Sequence, residues 1–370
     1  MTPRERFLHT LRFQSVDRPP NMEIGVWPQT RARWLAEGAP AALFDKVFLA
    51  GNDILGLDGC QGTTLNPTGP VPPFEHEVLE ETREWLVFRD TRGRIRKGLK
   101  VDGKYTSICM DQYLEFPVRD RQSFVEMRRR YEGAFEARYP ADWSVFAERA
   151  AALDIPLAIN QIYGDFGFYS MLRDWIGTEA LSLLFYDDPV LVRDCLEFLA
   201  DYIVRLYDRA VSEVRFDFVI IHEDLAGKGG PLLGPSLFTD FILPHYKRYV
   251  EFLRSAGIQV VIVDTDGDFE ALIPSFLEAG VDGFNPMEVA AGMDPVAMRR
   301  KYGRSFCMVG GVDKRAIARG REAIDMELAR LEPLIQDGGY IPWIDHTVPP
   351  DVAYDDFLYY VERKRQVLGG

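Results

Sequence analysis

Hydrophobic positions along this chain fall into two kinds of run. Short, unbroken β-branched stretches alternate with longer ones whose apolar residues recur every three or four positions. The clearest short run is Val260, Val261, Ile262 and Val263, within 258–263. An apolar run without polar alternation reads as a strand buried on both faces, the parallel-sheet pattern. Comparable runs predict strands at 155–162, 216–221, 281–284, 305–309 and 340–344. A first strand is expected at 21–26 and a weak one at 104–110.

The longer runs predict helices between them. The first covers 3–13, with Phe7, Leu8 and Leu11 on one face. Pro28 opens a helix that Gly38 closes, and 40–50 reads as another. Further helices are expected at 120–131, 142–153, 168–186, 189–213, 235–256, 269–279, 295–302, 314–318, 321–336 and 352–367. Pro244 predicts a kink inside 235–256. Residues 51–75, rich in Gly, Pro, Thr and Asn, read as an irregular loop. A hairpin of 77–89 and 94–101, joined at Asp90-Thr91-Arg92-Gly93, reads as a solvated excursion.

Eight strands that mostly alternate with helices argue for an α/β fold, a (β/α)8 TIM barrel. It is expected to be a single domain over 1–370, with an N-terminal helical segment and a β-hairpin insertion at about 77–101. An open, doubly wound sheet is the alternative.

Composition narrows the function. The 370 residues are 47% hydrophobic and 12% aromatic, enough for a large core. A formal net charge of −14 argues against a nucleic-acid or anionic-membrane surface. No apolar run is long enough for a membrane span, and Met1 to Arg6 lacks the apolar core of a signal peptide. Cys60, Cys109, Cys195 and Cys307 are far apart and read as free, buried thiols of a cytoplasmic protein.

In a barrel, residues just past the strands share one mouth. Those positions are Glu23, Tyr163, Asp165, His222, Glu223, Asp224, Asp264, Asp266, Asn285, Glu288, Asp313, Asp345 and His346. Asp264 and Asp266 are two apart in an extended segment, so their side chains point the same way. Like charges that close need a cation between them or a shared proton. A carboxylate-rich mouth with histidine suits a divalent cation: zinc, manganese, iron or magnesium.

Several of these residues also have plain structural readings. Asp268 and Asp313 fit helix caps, Asp224 a pair with Lys228, and Glu23 a pair with an arginine. His9, His76 and His245 read as structural or solvated. Asp264-Thr265-Asp266-Gly267-Asp268 opens like an EF-hand, but Ser275 stands where the loop's closing Glu belongs. The same residues resemble the nucleophile motif of haloacid-dehalogenase-type phosphatases, without that motif's flanks.

Over nearly its whole length the chain resembles the uroporphyrinogen decarboxylase superfamily, including its methyltransferase branch. The resemblance rests on Val16-Asp17-Arg18-Pro19-Pro20, Gly234-Pro235, Leu272-Ile273-Pro274, and Glu278-Ala279-Gly280-Val281-Asp282 with Asn285-Pro286. Gly310-Gly311-Val312-Asp313 and the tail from Gly338-Gly339-Tyr340-Ile341 to Asp345-His346-Thr347-Val348-Pro349-Pro350 complete it. The resemblance implies a (β/α)8 barrel. The arginine-rich tetrapyrrole-binding segment of the decarboxylases is missing from 21–27, and Thr347 replaces the Gly after the late His. The thiolate zinc ligands of the corrinoid-linked methyltransferases are replaced by Asp264-Thr265-Asp266-Gly267 and His346.

These features lead to one mechanistic expectation. Asp264, Asp266, His346 and Glu223 hold a divalent metal, zinc first among them. The metal acts as a Lewis acid on a small methoxy or methylamine-type substrate whose methyl group passes to a corrinoid protein. His222, Glu223, Tyr163 and Asp165 handle protons, and Glu23, Trp27, Phe166, Phe168, Asn285 and Trp343 bind substrate. The alternatives are a metal-free decarboxylase with one Asp protonated, and a non-catalytic partner of a corrinoid protein. A homodimer is compatible with either.

Overall fold

The apolar run at 260–263 forms the strand Val260–Asp264, each of its four β-branched residues at most 1% exposed. Burying each contributes roughly 1.5–3 kcal/mol. In this computed structural model, which describes residues 1–101, 103–105, 111–133 and 135–369, the strand is central to a parallel sheet. Phe218–His222 lies on one side of it; on the other come Gly283–Asn285, Cys307–Val309 and Tyr340–Ile341. Isolated parallel bridges carry the ring onward: Phe218 to Ala158, Leu157 to Gln61, and Val348 back to Val26. Asp58 N–H donates to the Asn21 carbonyl at 2.7 Å, linking the 60s segment to the first. The result is a (β/α)8 barrel.

Alternation along the strands divides the apolar residues into two bodies. Phe218, Ile220, Val260, Ile262, Val309, Ile341 and Trp343 face inward, and Phe7, Leu8 and Leu11 of the first helix plug the cluster. Val219, Ile221, Val261 and Val263 face outward, under the helices. A residue added to either strand's end inherits this parity, and parity decides which carboxylates reach the mouth.

Several elements differ from expectation. The barrel strand expected at 104–110 is a two-residue edge, Lys104–Tyr105, on the excursion sheet, and 106–110, with Cys109, lies outside the described residues. Its place in the ring is taken by Gln61 and its neighbours, inside the expected loop. Segments 21–26 and 155–162 are extended but touch the ring only through bridges. The excursion is a sheet, not a hairpin: Glu77–Glu81, Trp85–Arg89, Ile95–Val101, Lys104–Tyr105 and Gln112–Glu115. It is also only partly solvated, since Leu86 and Phe88 are buried and Arg92 and Arg94 both pair with Asp174 of the barrel.

The expected helix 40–50 is two 3-10 turns, Ala41–Phe44 and Phe48–Ala50. Gly177 splits 168–186 into Phe168–Ile176 and Thr178–Asp187. Ahead of Pro244 the backbone winds as a π-helix over Phe238–Ile242 before resuming as Leu243–Ser255. Proline's ring displaces the carbonyl four residues back, here Asp240, and the wider turn relieves it. Cys60, Cys195 and Cys307 are free and buried. Among the described residues no helix is long and apolar enough to cross a membrane.

Candidate active site

Strand register builds the centre of the mouth. His222 and Asn285 are the partners of Asp264 on the two neighbouring strands, so three inward-facing side chains stand in a row. His222 Nδ1 lies 2.7 Å from Asp264 Oδ2. The Asn285 amide donates to Asp264 Oδ1, and Trp343 Nε1 donates to Asn285 Oδ1 at 3.1 Å. Burial works against a charged imidazole at His222. The Asp264 hydrogen bond and charge, with those of Asp224 and Asp266, outweigh it and raise the pKa to about 9.

The second pair sits across the cleft. Asp266 Oδ2 is 3.7 Å from His346 Nε2, and the His346 ring stacks on Trp27 at 5.6 Å between centroids. Burial first, then the Asp264 charge, raise Asp266 to about 6, while His346 opposes the rise. Gly267 N–H donates to Glu288 at 3.2 Å, and Lys314 Nζ bonds Glu288 at 3.2 Å, tying the loop after the strand to the next ones. The cleft between the two pairs measures about 240 Å³ and also takes in Tyr163, Gly164, Trp343 and Thr347. Tyr163 donates its hydroxyl to the Ile24 carbonyl at 3.0 Å, and burial raises its pKa to about 12.

Parity sends other expected site residues elsewhere. Glu223 follows His222 and therefore points outward, fully buried. It accepts from Ser170 N–H at 2.7 Å and from the Tyr246 hydroxyl at 2.8 Å, and burial raises it to about 7. Gly167 must lack a side chain, because a Cβ there would sit 2.1 Å from the His222 carbonyl oxygen. Phe166 and Phe168 pack on each other and on Tyr249 in the outer core, not in the cleft. Glu23 does not face substrate space either: it pairs with Lys364 rather than an arginine, and accepts from Tyr360 at 2.6 Å.

Asp345 is buried and accepts from Val289 N–H and Lys314 N–H, each at 3.1 Å. Asp224 pairs with Arg173, not Lys228. Asp268 accepts from Glu270 N–H, and Asp313 caps the helix Lys314–Ala318. Asp165 lines a neighbouring chamber, with its carboxyl raised to about 6 by burial.

The expected metal set does not fit this arrangement. Both Asp264 oxygens are engaged by His222 and Asn285, and Glu223 faces away. Among the described residues no three His, Cys, Asp or Glu side chains gather to hold a cation. What the cleft does offer is a proton donor, a raised carboxyl and aromatic walls. Sequence reasoning missed Gly164 and Thr347. Asn285, expected as a substrate contact, lines the cleft and is also the register partner of Asp264.

A family model described as Uroporphyrinogen decarboxylase (URO-D) matches residues 166–367, more than half of the chain. The chain belongs to the uroporphyrinogen decarboxylase family. The matched region carries His222, Asp264, Asp266, Asn285 and His346. Among solved structures, this URO-D family chain is similar to a methyltransferase from Methanosarcina mazei, at 16% sequence identity and a TM-score of 0.60. That likeness covers 99% of each chain and supports the fold. No curated protein matches the chain.

Proposed function

We propose that this URO-D family member is an enzyme of the methyltransferase kind, acting on a small O- or N-methylated substrate held in the cleft. The observation that carries the reading is the His222–Asp264 pair beside the cleft wall, with Nδ1 fixed 2.7 Å from the carboxylate, whose charge favours the imidazolium. With Nδ1 occupied, Nε2 carries the proton that can be given away. Breaking a C–O or C–N bond to a methyl group leaves the electron pair on the heteroatom. His222 protonates that heteroatom, and the Asp264 carboxylate steadies the ring's charge until then. Trp343 and His346 wall the methyl-bearing end, with Trp27 stacked on His346. The acceptor in this reading is a corrinoid on a partner protein, which supplies the nucleophile.

One feature weighs against a decarboxylase. Asp264 and Asp266 make the cleft unfavourable for a substrate carboxylate. Free cob(I)alamin serves as a test acceptor. Methylcobalamin should accumulate with a methoxy or methylamine compound, and His222→Gln should abolish it. Release of CO₂ from a cyclic acid, with no methyl transfer from any compound, would overturn the proposal in favour of decarboxylation.

A further inference from the structure

A second chamber of about 280 Å³ meets the first at Gly164 and His222. Gly164 makes the partition thin: its φ is +77°, and a Cβ there would come within 3.3 Å of the His222 Cβ. The two chambers differ in their cations. The first presents Asp264 and Asp266 with aromatic walls and no Arg or Lys, whereas the second presents Arg92, Arg173, Gln161 and Ser170 beside His222, with Asp165 and with Asp174, which Arg92 and Arg94 neutralise. Arg92 arrives from the turn between two strands of the excursion sheet, so the insertion completes this chamber.

Neither guanidinium is used up by its protein partners. Arg92 donates to Asp174 and to Thr68 Oγ1 at 3.0 Å. Arg173 donates to the Asp224 carbonyl at 2.8 Å and to its carboxylate. A guanidinium has five N–H donors in a planar fork, so both keep spare ones. Their rigid geometry matches a planar, acceptor-rich group.

We infer that the second chamber is the subsite for a carboxylate on the substrate, read by Arg92 and Arg173, while the methylated end occupies the first. The substrate class is then a small methoxylated or N-methylated acid. This inference rests on the proposed methyl transfer for the role of the first chamber only. His222 at the partition sits between the two ends of one molecule. The acidic first chamber enforces the orientation, because a carboxylate placed there meets Asp264 and Asp266.

The probes are 4-methoxybenzoate and the uncharged 4-methoxybenzyl alcohol, with binding measured by calorimetry on the full chain. The wild type should prefer the acid. Arg92→Gln should weaken the acid about tenfold or more and leave the alcohol unchanged. Gln161→Glu provides a variant that removes no side-chain hydrogen bond of the fold, since Gln161 is exposed, and it should weaken the acid in the same way. Equal affinity for acid and alcohol in all three proteins overturns the carboxylate subsite, even where methyl transfer from the alcohol's ether proceeds. Acid binding that depends on Arg92 and Gln161 upholds the subsite, even where neither probe loses its methyl group and the methyl-transfer reading falls.

Discussion

His222 and Asp264 are register partners on adjacent parallel strands, and their side chains meet at 2.7 Å where both strands reach the mouth. The pair gives the proposed acid a definite pH signature. Its pKa of about 9 lies above the ordinary histidine value, so the charged donor persists up to that pH and is lost above it. Turnover should therefore fall as pH rises through about 9. Asp264→Asn keeps a hydrogen-bond acceptor but removes the largest charge favouring the imidazolium. The alkaline limb of kcat/KM should then move down by more than one pH unit, toward the ordinary value. An unmoved limb assigns the proton to another group.

Asn285 bridges Asp264 and the Trp343 indole. Replacing it with alanine leaves Trp343 Nε1 and Asp264 Oδ1 each short of a partner in a buried setting. Unsatisfied buried groups cost about 1–3 kcal/mol each. Asn285→Ala should lower the denaturation midpoint accordingly and alter tryptophan emission. A variant with unchanged emission and midpoint removes the bridge from the account.

The barrel was legible because its strongest signals are local. The β-branched run at 260–263 and the cap at Asp313 depend on neighbours a few residues away. Strand parity was less accessible. Glu223 and His222 adjoin in sequence, and only the edge of the strand tells which one faces the mouth. The ring segment near Gln61 was hidden because it holds one bridge to Leu157 amid Gly and Thr, with no apolar run to announce it. Pairings across the chain, such as Glu23 with Lys364, leave no periodic trace at all. The engagement of Asp264 by residues from two other strands left no such trace either.

Glu23 and Lys364 form an ion pair in which both side chains are fully buried. Lys364 Nζ also donates to the Met22 carbonyl at 2.7 Å, joining the C-terminal helix Tyr354–Val367 to the first barrel segment. Breaking such a pair from one side strands the other charge. Lys364→Met should cost about 3–5 kcal/mol. Adding Glu23→Gln neutralises the stranded group, which still accepts from Tyr360, so the double variant should recover most of the loss. Chemical denaturation of the two single variants and the double variant measures the coupling, and additive losses would rule out a coupled pair.

Glu223 should make folding stability fall as pH rises. Its pKa of about 7 in the folded chain stands above the ordinary carboxylate value of 4.5 because burial penalises the charge. The unfolded chain releases this proton near pH 4.5 and the folded chain only near pH 7, so the folded state holds more protons in between. The stabilising contribution is complete below pH 4.5 and gone above pH 7, about 3 kcal/mol at most across that window. Glutamine removes the titration and can keep both contacts. Its carbonyl accepts from Ser170 N–H, and its amide donates to the Tyr246 hydroxyl, which turns to accept. Glu223→Gln should therefore flatten the decline of the melting temperature between pH 4.5 and 7, and match or exceed the wild type at pH 8. A parallel decline in both proteins would place the titrating group elsewhere, with Asp165 and Asp345, both raised to about 6, as the next carboxyls to replace.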